Sequence, residues 1–262
     1  MEWINELPEL LEPVKDKILE TKRSFIEIIP AEGAPERPWK SRFGGNPYLP
    51  KDTAWPVSPE GQQLFFLAQI NFAEMPPLSP FPSKGILQFY INDDDLYGLS
   101  ETDLFKQDYF RVLYFPEVIE DPAKLTADFS FLRSFEDLPV YPGQSFGMEF
   151  HLGEECVSVS DYHFPLHFGE GFFAGFGEAQ WEIFEWYAHE VSSEGHKVGG
   201  YAHFAQQDPR RAEDNLVLLF QMDTDAEMEC MWGDMGTAKF FISEQDLKDL
   251  NFSRVMYYWD CF

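Results

Sequence analysis

Five short segments in the first half of the chain recur in the second half, in the same order. This recurrence constrains the fold more than any other feature. Arg42-Phe43-Gly44-Gly45 corresponds to Lys197-Val198-Gly199-Gly200, and Leu67-Ala68-Gln69-Ile70 to Leu219-Phe220-Gln221-Met222. Ala73-Glu74-Met75 corresponds to Ala226-Glu227-Met228. Gly85-Ile86-Leu87-Gln88-Phe89-Tyr90-Ile91 corresponds to Gly236-Thr237-Ala238-Lys239-Phe240-Phe241-Ile242, and Arg111-Val112-Leu113-Tyr114-Phe115 to Arg254-Val255-Met256-Tyr257-Tyr258. Subtracting the first residue numbers of each pair gives shifts of 155, 152, 153, 151 and 143, a drift that changes in loop length account for. A small unit with an apolar sheet cannot bury it alone, whereas two such units packed together can. The pattern predicts an α+β fold: an internally duplicated β-rich unit in a pseudo-two-fold arrangement, with an N-terminal helix packed on it. The expected organisation is one compact domain over residues 1–262, with copy one at about 40–120, a connecting region at about 121–194 and copy two at about 195–262. A site, if there is one, is expected where the copies meet, because clefts form between packed units.

The local pattern fits this outline. Leu10, Leu11, Val14, Ile18 and, further on, Phe25 and Ile26 recur near the helical period, with Pro8 and Pro13 near the start. Ile26 to Ile29 then reads as extended, and the proline- and glycine-rich stretch Pro30 to Pro59 as an irregular loop. Strands are expected at Leu64 to Ile70, Ile86 to Ile91, Phe110 to Phe115 and Phe146 to His151. Four more elements of this kind follow at Tyr201 to Ala205, Leu216 to Gln221, Thr237 to Ile242 and Val255 to Trp259. Glu178 to Val191 is the clearest later helix, and Ser243 is placed to cap a short one, with Asp246 three residues on.

Composition narrows the function classes. The formal net charge of -27 disfavours direct binding to nucleic acid and to anionic membranes. It suits either plain solubility or an acidic face that meets a basic partner. The aromatic share of 17%, with 27 phenylalanines, predicts a folded chain with a large core. No apolar run approaches the ~18 residues of a membrane span. Met1 to Pro8 has neither the basic nor the apolar region of a secretory signal, and the three cysteines, Cys156, Cys230 and Cys261, are sparse and unpaired in spacing. Reduced thiols in a cytoplasm are therefore expected.

Long motifs in the chain resemble a known family. Gly44-Gly45-Asn46-Pro47-Tyr48-Leu49-Pro50, Leu67-Ala68-Gln69-Ile70-Asn71-Phe72, Gly85-Ile86-Leu87-Gln88-Phe89-Tyr90, His196-Lys197-Val198-Gly199-Gly200-Tyr201 and Met231-Trp232-Gly233-Asp234-Met235-Gly236, with the closing Trp259-Asp260-Cys261, are similar to the bacterial YwqG-like family. The resemblance runs from about Phe43 to the C-terminus. It implies a bacterial cytoplasmic protein of α+β fold. It brings no catalytic residues, because the family is a domain of unknown function, and some relatives are suspected of working beside secreted toxins.

Candidate chemistry is sparse. In each basic-x-Gly-Gly motif the glycines could let backbone N–H groups converge on an anion, with Arg42 beside Gly44 and Gly45 or Lys197 beside Gly199 and Gly200 adding charge. The other reading is a tight turn into a strand. His203, Asp208 and Arg210 follow the second glycine pair, as Tyr48, Lys51 and Asp52 follow the first, and could form a polar pocket or merely loop ion pairs. Gln69 and Gln221 stand at one strand position in both copies and must find partners, either across the facing copy or on a ligand. His163, His167 and Cys156 could hold zinc, but Pro165 between the histidines argues against the helix this needs. Asp93, Asp95 and Gly98 begin a calcium-loop pattern that fails at Leu104, and Asp223, Asp225 and Glu227 lack the loop glycine, so both read as solvated acidic turns. No nucleophile elbow and no phosphate-binding loop occur. The expectation is a protein without cofactor or metal, leaning to a non-enzymatic interaction module for a basic partner such as a toxin. The alternative is a binder of a small anionic ligand, or an enzyme, with a pocket between the copies.

Overall fold

A computed structural model describes residues 2–262. Ten strands form one fully antiparallel sheet: β1 (Arg23–Ala31), β2 (Arg42–Gly44), β3 (Phe65–Asn71), β4 (Ile86–Ile91), β5 (Phe110–Phe115), β6 (Ser145–Glu155), β7 (Lys197–Gly199), β8 (Leu216–Asp223), β9 (Thr237–Ser243) and β10 (Met256–Asp260). Their order is β10-β9-β8-β7-β1-β6-β2-β3-β4-β5. Read from either edge, each strand of the first half has its counterpart of the second half at the same distance from the centre. A bulge interrupts β3 between Phe66 and Ala68, and another interrupts β8 between Leu218 and Phe220, four positions that align in the two halves.

The centre of the sheet lies outside the segments that recur in sequence. β1 and β6 pair along their whole length, from Arg23 opposite Glu155 to Ala31 opposite Gly147. Each then pairs with a short strand of the other half: Gly44 of β2 lies opposite Ser145 of β6, and Gly199 of β7 opposite Phe25 of β1. The connecting region expected at 121–194 thus contains a central strand as well as helices. The long loop expected at Pro30 to Pro59 contains β2.

The sheet curls until its halves meet face to face. Phe89 of β4 packs 4.6 Å from Phe220 of β8 and 4.7 Å from Phe240 of β9, ring centre to ring centre. At the outer edges Phe110 of β5 lies 5.1 Å from Tyr257 of β10. β3, β4 and most of β8 and β9 are buried on both faces, because loops cover their outer side. A second core joins the N-terminal turns to the helices that follow β6: Trp3, Leu11 and Ile18 pack with Phe164 of the helix His163–Phe168 and with Ile183 and Tyr187 of the helix Gln180–Glu190. In chain order these helices lie between a short N-terminal helix, Lys15–Leu19, and a last one, Glu244–Lys248, which Ser243 caps through the N–H of Asp246 as expected.

Two local expectations change. The N-terminal helix is two 3-10 turns, Glu2–Glu6 and Glu9–Val14, followed by the five-residue helix, with Phe25 and Ile26 already in β1. Pro13 removes a donor there, and Thr21 Oγ1 donates to the Ile18 carbonyl, closing the last turn. The element at Tyr201 to Ala205 is not a strand. Its N–H groups go to side chains instead: Tyr201 to Glu155, Ala202 to Asp161, His203 to Gln221 and Phe204 to Ser160.

Candidate functional site

The residues singled out in sequence are mostly internal. Gln69 and Gln221 make the same bonds in their two halves. Gln69 Nε2 donates to the Pro38 and Lys40 carbonyls and its Oε1 accepts from the Tyr48 N–H. Gln221 Nε2 donates to Ser193 and Gly195, and its Oε1 accepts from the His203 N–H. Each glutamine ties down the loop of its own half, and not the facing half. Arg42 is buried and spends its guanidinium on the carbonyls of Pro35, Arg37, Lys40 and Asn46, so burial lowers its pKa without a carboxylate in contact.

The second glycine pair does face an anion, but one of the chain's own. Lys197 Nζ lies 2.8 Å from Glu155 Oε2, and Glu155 Oε1 accepts the Tyr201 N–H at 2.6 Å. Gly200, at φ +71°, has no room for a side chain, since a Cβ would fall 2.0 Å from Glu155 Oε1. Gly44 and Gly45 abut Gln144 and Ser145. The two glycine turns therefore stand at opposite ends of β6, roughly 30 Å apart at ~3.3 Å per residue, and no one cleft takes both.

Asp208 and Arg210 join a buried ion network with Asp161. Arg210 Nη2 lies 2.7 Å from a carboxylate oxygen of each. Lys239 pairs with Asp260 in the same half, and burial lowers the lysine pKa to about 8. The first half has Gln88 in place of Lys239, bonded to Tyr48 and Gln69. His203 stands 3.9 Å from Glu194, and burial lowers its pKa. His163 and His167 do share a helix, because Pro165 sits in its first turn where no donor is needed. His163 Nδ1, however, bonds Asp161, and among the described residues no group of three or more His, Cys, Asp or Glu is placed to hold a metal.

The network has a consequence in acid. Burial alone would raise the Asp161 pKa, but the Arg210 guanidinium and His163 hold it well below the usual carboxylate range. Asp225, bonded by His196, is lowered to about 2. Unfolded Asp takes up its proton near pH 4, the folded groups only below that. Their stabilisation is present above about pH 4 and is lost as pH falls through the folded pKa values, while Glu155, raised by burial, acts only at higher pH, where its penalty is relieved before the unfolded glutamate range is reached. The urea midpoint should therefore drop as pH falls from about 4 towards 2. A flat or rising midpoint would contradict the network as described.

The open surface of the molecule lies elsewhere. The segment 133–142 straps across the loop between β8 and β9. Asp93 anchors it by accepting from Arg133 Nη1 at 2.5 Å and from the Asp137 N–H at 2.6 Å. The Met231 N–H then donates to Pro139 at 2.7 Å. Between strap and loop lies a groove of about 610 Å³, floored by Leu138, Pro139 and Cys230. Tyr141, Met231 and Met235 stand on it with more than half of their surface exposed. Its rim carries Glu136, Asp225 and Glu229.

The groove belongs to the segment that identifies the chain: residues 41–261 match the family described as Domain of unknown function (DUF1963). The chain belongs to the DUF1963 family. No curated protein matches it significantly. The groove and Asp225 lie within the DUF1963 segment, whereas β1, which the sheet needs at its centre, lies before it.

Asp225 also lines a second cavity of about 450 Å³, whose walls include Trp3, Phe25 and Glu27 from before the DUF1963 segment. Glu27, Glu154, Glu190, Glu194 and Asp225 line it with carboxylates, and Trp3 and Phe25 add aromatic rings. Only Lys22, which reaches Glu154 at 2.8 Å, answers this charge with a lysine or arginine; the other partners are histidines, His189 at 3.0 Å from Glu190, His196 Nε2 at 3.2 Å from Asp225 and His203 at 3.9 Å from Glu194. His196 Nδ1 accepts the Asp223 N–H, so its proton sits on Nε2 and is donated to Asp225. Such a cavity suits a cationic group, attracted by carboxylates and by ring faces together. Sequence reasoning took Asp225 for a solvated turn and passed over Met231 and Met235. Two exposed methionines flanking a buried Trp232 in a glycine-containing loop were the available signal.

Proposed function

We propose that this chain is a non-enzymatic interaction module that captures a basic segment of a partner protein. The observation that carries the reading is that one residue, Asp225, lines both an apolar methionine-lined groove and a carboxylate-lined, aromatic-walled cavity. A partner segment with an apolar stretch beside a Lys or Arg fits both parts at once. Methionines adapt to varied apolar side chains, and the carboxylates steer a basic partner in from a distance. The net charge of -27 supports the same reading, and a basic toxin enzyme is the kind of partner it suits.

The halves are best read as copies of one ancestral unit. The sheet order, the aligned bulges and the equivalent bonding of Gln69 and Gln221 support this. So does the local fit of β1 to β6, each facing the glycine turn of the other half. The motifs quoted above support a YwqG-like bacterial member of DUF1963, and three cysteines that form no disulfide among the described residues a cytoplasmic one. Among the described residues no helix is long and apolar enough to cross a membrane.

The test compares partners captured at low salt by the native chain and by an Asp225→Lys, Met231→Asp variant. The captured partner should be basic, and its dissociation constant should rise at least tenfold in the variant and steeply with salt. Partners held equally by both chains would sink the reading.

A further inference from the structure

We propose that a separate cleft between the halves is a binding site for a small organic anion, a molecule with one carboxylate or phosphate group on an apolar body. The cleft has a volume of about 380 Å³ and lies between residues 78–81 of the first half and Gly199, Gly200, Leu216 and Val217 of the second. That volume falls within the range of small-molecule sites.

Its charge is the opposite of the rest of the surface. Arg23 lines the cleft with its guanidinium carbon 4.3 Å from the centre of the Tyr201 ring. Among the described residues it has no carboxylate and no hydrogen-bond partner, although Asp and Glu outnumber Lys and Arg by 46 to 19. A guanidinium that meets a ring and no acceptor keeps its N–H donors for a planar or tetrahedral anion. The Tyr201 ring is itself fixed, since its hydroxyl donates to the Thr21 carbonyl at 2.6 Å.

The second polar group is His163. Its Nδ1 lies 2.5 Å from Asp161 Oδ1, and Asp161 is fully buried and held by Arg210. The ring packs 4.0 Å from Tyr162 and lines the cleft, with Nδ1 engaged by Asp161 and Nε2 left as its other polar atom. The ion network behind the cleft therefore positions a side chain in it. Ser24, Ser79 and Asn215 add neutral polar groups, and Leu78, Pro80, Phe81 and Leu216 make the apolar walls.

Two observations restrict the ligand. The glycine turn on the cleft wall already holds Glu155, so an incoming anion meets Arg23 and not the backbone N–H of Tyr201. Glu244 also lines the cleft, and Lys248 at 2.5 Å neutralises only that one carboxylate. A ligand with several negative charges would meet Glu244, so a single anionic group is preferred. The apolar walls call for a body that a bare inorganic ion lacks.

Benzoate, phenyl phosphate and inorganic phosphate serve as probes, with binding to the full chain read by calorimetry and by thermal shift. Saturable binding of benzoate or phenyl phosphate is expected, and which one binds more tightly tells carboxylate from phosphate. Inorganic phosphate should bind at least tenfold more weakly. Arg23→Met, which keeps an unbranched apolar stem at this position, should weaken the better probe at least tenfold. Ser24→Trp, on the exposed rim, should block it with Arg23 and His163 intact. Both variants should keep the native far-ultraviolet spectrum. Absence of saturable binding by either organic probe at millimolar concentration would overturn the proposal. So would equal binding of inorganic phosphate, or equal binding by folded Arg23→Met.

Discussion

Arg210→Met is expected to lower the stability of the fold by about 3–5 kcal/mol, the cost of removing one partner from a buried ion network. The Arg210 side chain is 2% exposed and lies between Asp161 and Asp208, which are 0% and 5% exposed. Methionine retains most of the apolar stem but loses the guanidinium, whose carbon lies 4.4 Å from the centre of the Phe241 ring and 4.8 Å from that of Tyr162. What remains is two carboxylates without their cation. Asp161 keeps His163 and two N–H donors, and Asp208 keeps the Tyr162 N–H, which answers only part of the charge. Converting both carboxylates to amides in the same chain should recover much of the loss, because the penalty comes from uncompensated charge and not from missing contacts. Urea unfolding at neutral pH measures both variants. A loss below about 1 kcal/mol for Arg210→Met would show that water reaches the network and that its burial is overstated.

The legible part of this fold was the part in which side chains repeat. β3, β4, β8 and β9 are buried on both faces, so every position is constrained, and the sequence pairs Leu67-Ala68-Gln69-Ile70 with Leu219-Phe220-Gln221-Met222 visibly. β1 and β6 also hold corresponding places, but only one face of each is covered. Ile26 and Ile28 point into the core as Phe146, Met148 and Phe150 do, and the outward residues share nothing. A strand constrained on alternate residues leaves too little signal to align. The helices between β6 and β7 hide the correspondence further, since residues 32–41 fill the same gap in the first half. The candidate groove was illegible for a different reason. It is made by the strap at 133–142 and the loop at 224–236, far apart in sequence and joined through Asp93, Pro139 and Met231. The buried network was half legible: Asp208 and Arg210 stood out, His163 entered only as part of a zinc pattern with His167 and Cys156, and nothing marked Asp161.

A chain lacking residues 1–31 is expected not to fold, although it keeps the whole segment that matches the family. The reason lies in the sheet order. β1 stands between β6 and β7, pairing with nine residues of the first and three of the second. Without it the sheet becomes two separate sheets, one ending at β6 and the other at β7, each with an unpaired inner edge. The core loses Ile26 and Ile28, at about 1.5–3 kcal/mol for each buried side chain. The second core loses Trp3, Leu11 and Ile18, which would leave Phe164, Ile183 and Tyr187 facing water. These burial losses alone reach the ~5–15 kcal/mol that separates a typical folded domain from its unfolded state. The Ile28 N–H bond to the His196 carbonyl also disappears, and with it the restraint on the ring that holds Asp225. The truncated chain should therefore lack a cooperative melt and its near-ultraviolet signal. It should also aggregate through its exposed strand edges. A synthetic peptide spanning residues 20–32, added during refolding, should restore part of the structure by re-entering between β6 and β7. A truncated chain that melts cooperatively within a few degrees of the full one would mean that β6 and β7 can pair directly. The central place of β1 would then be a feature of this sheet and not a requirement of it.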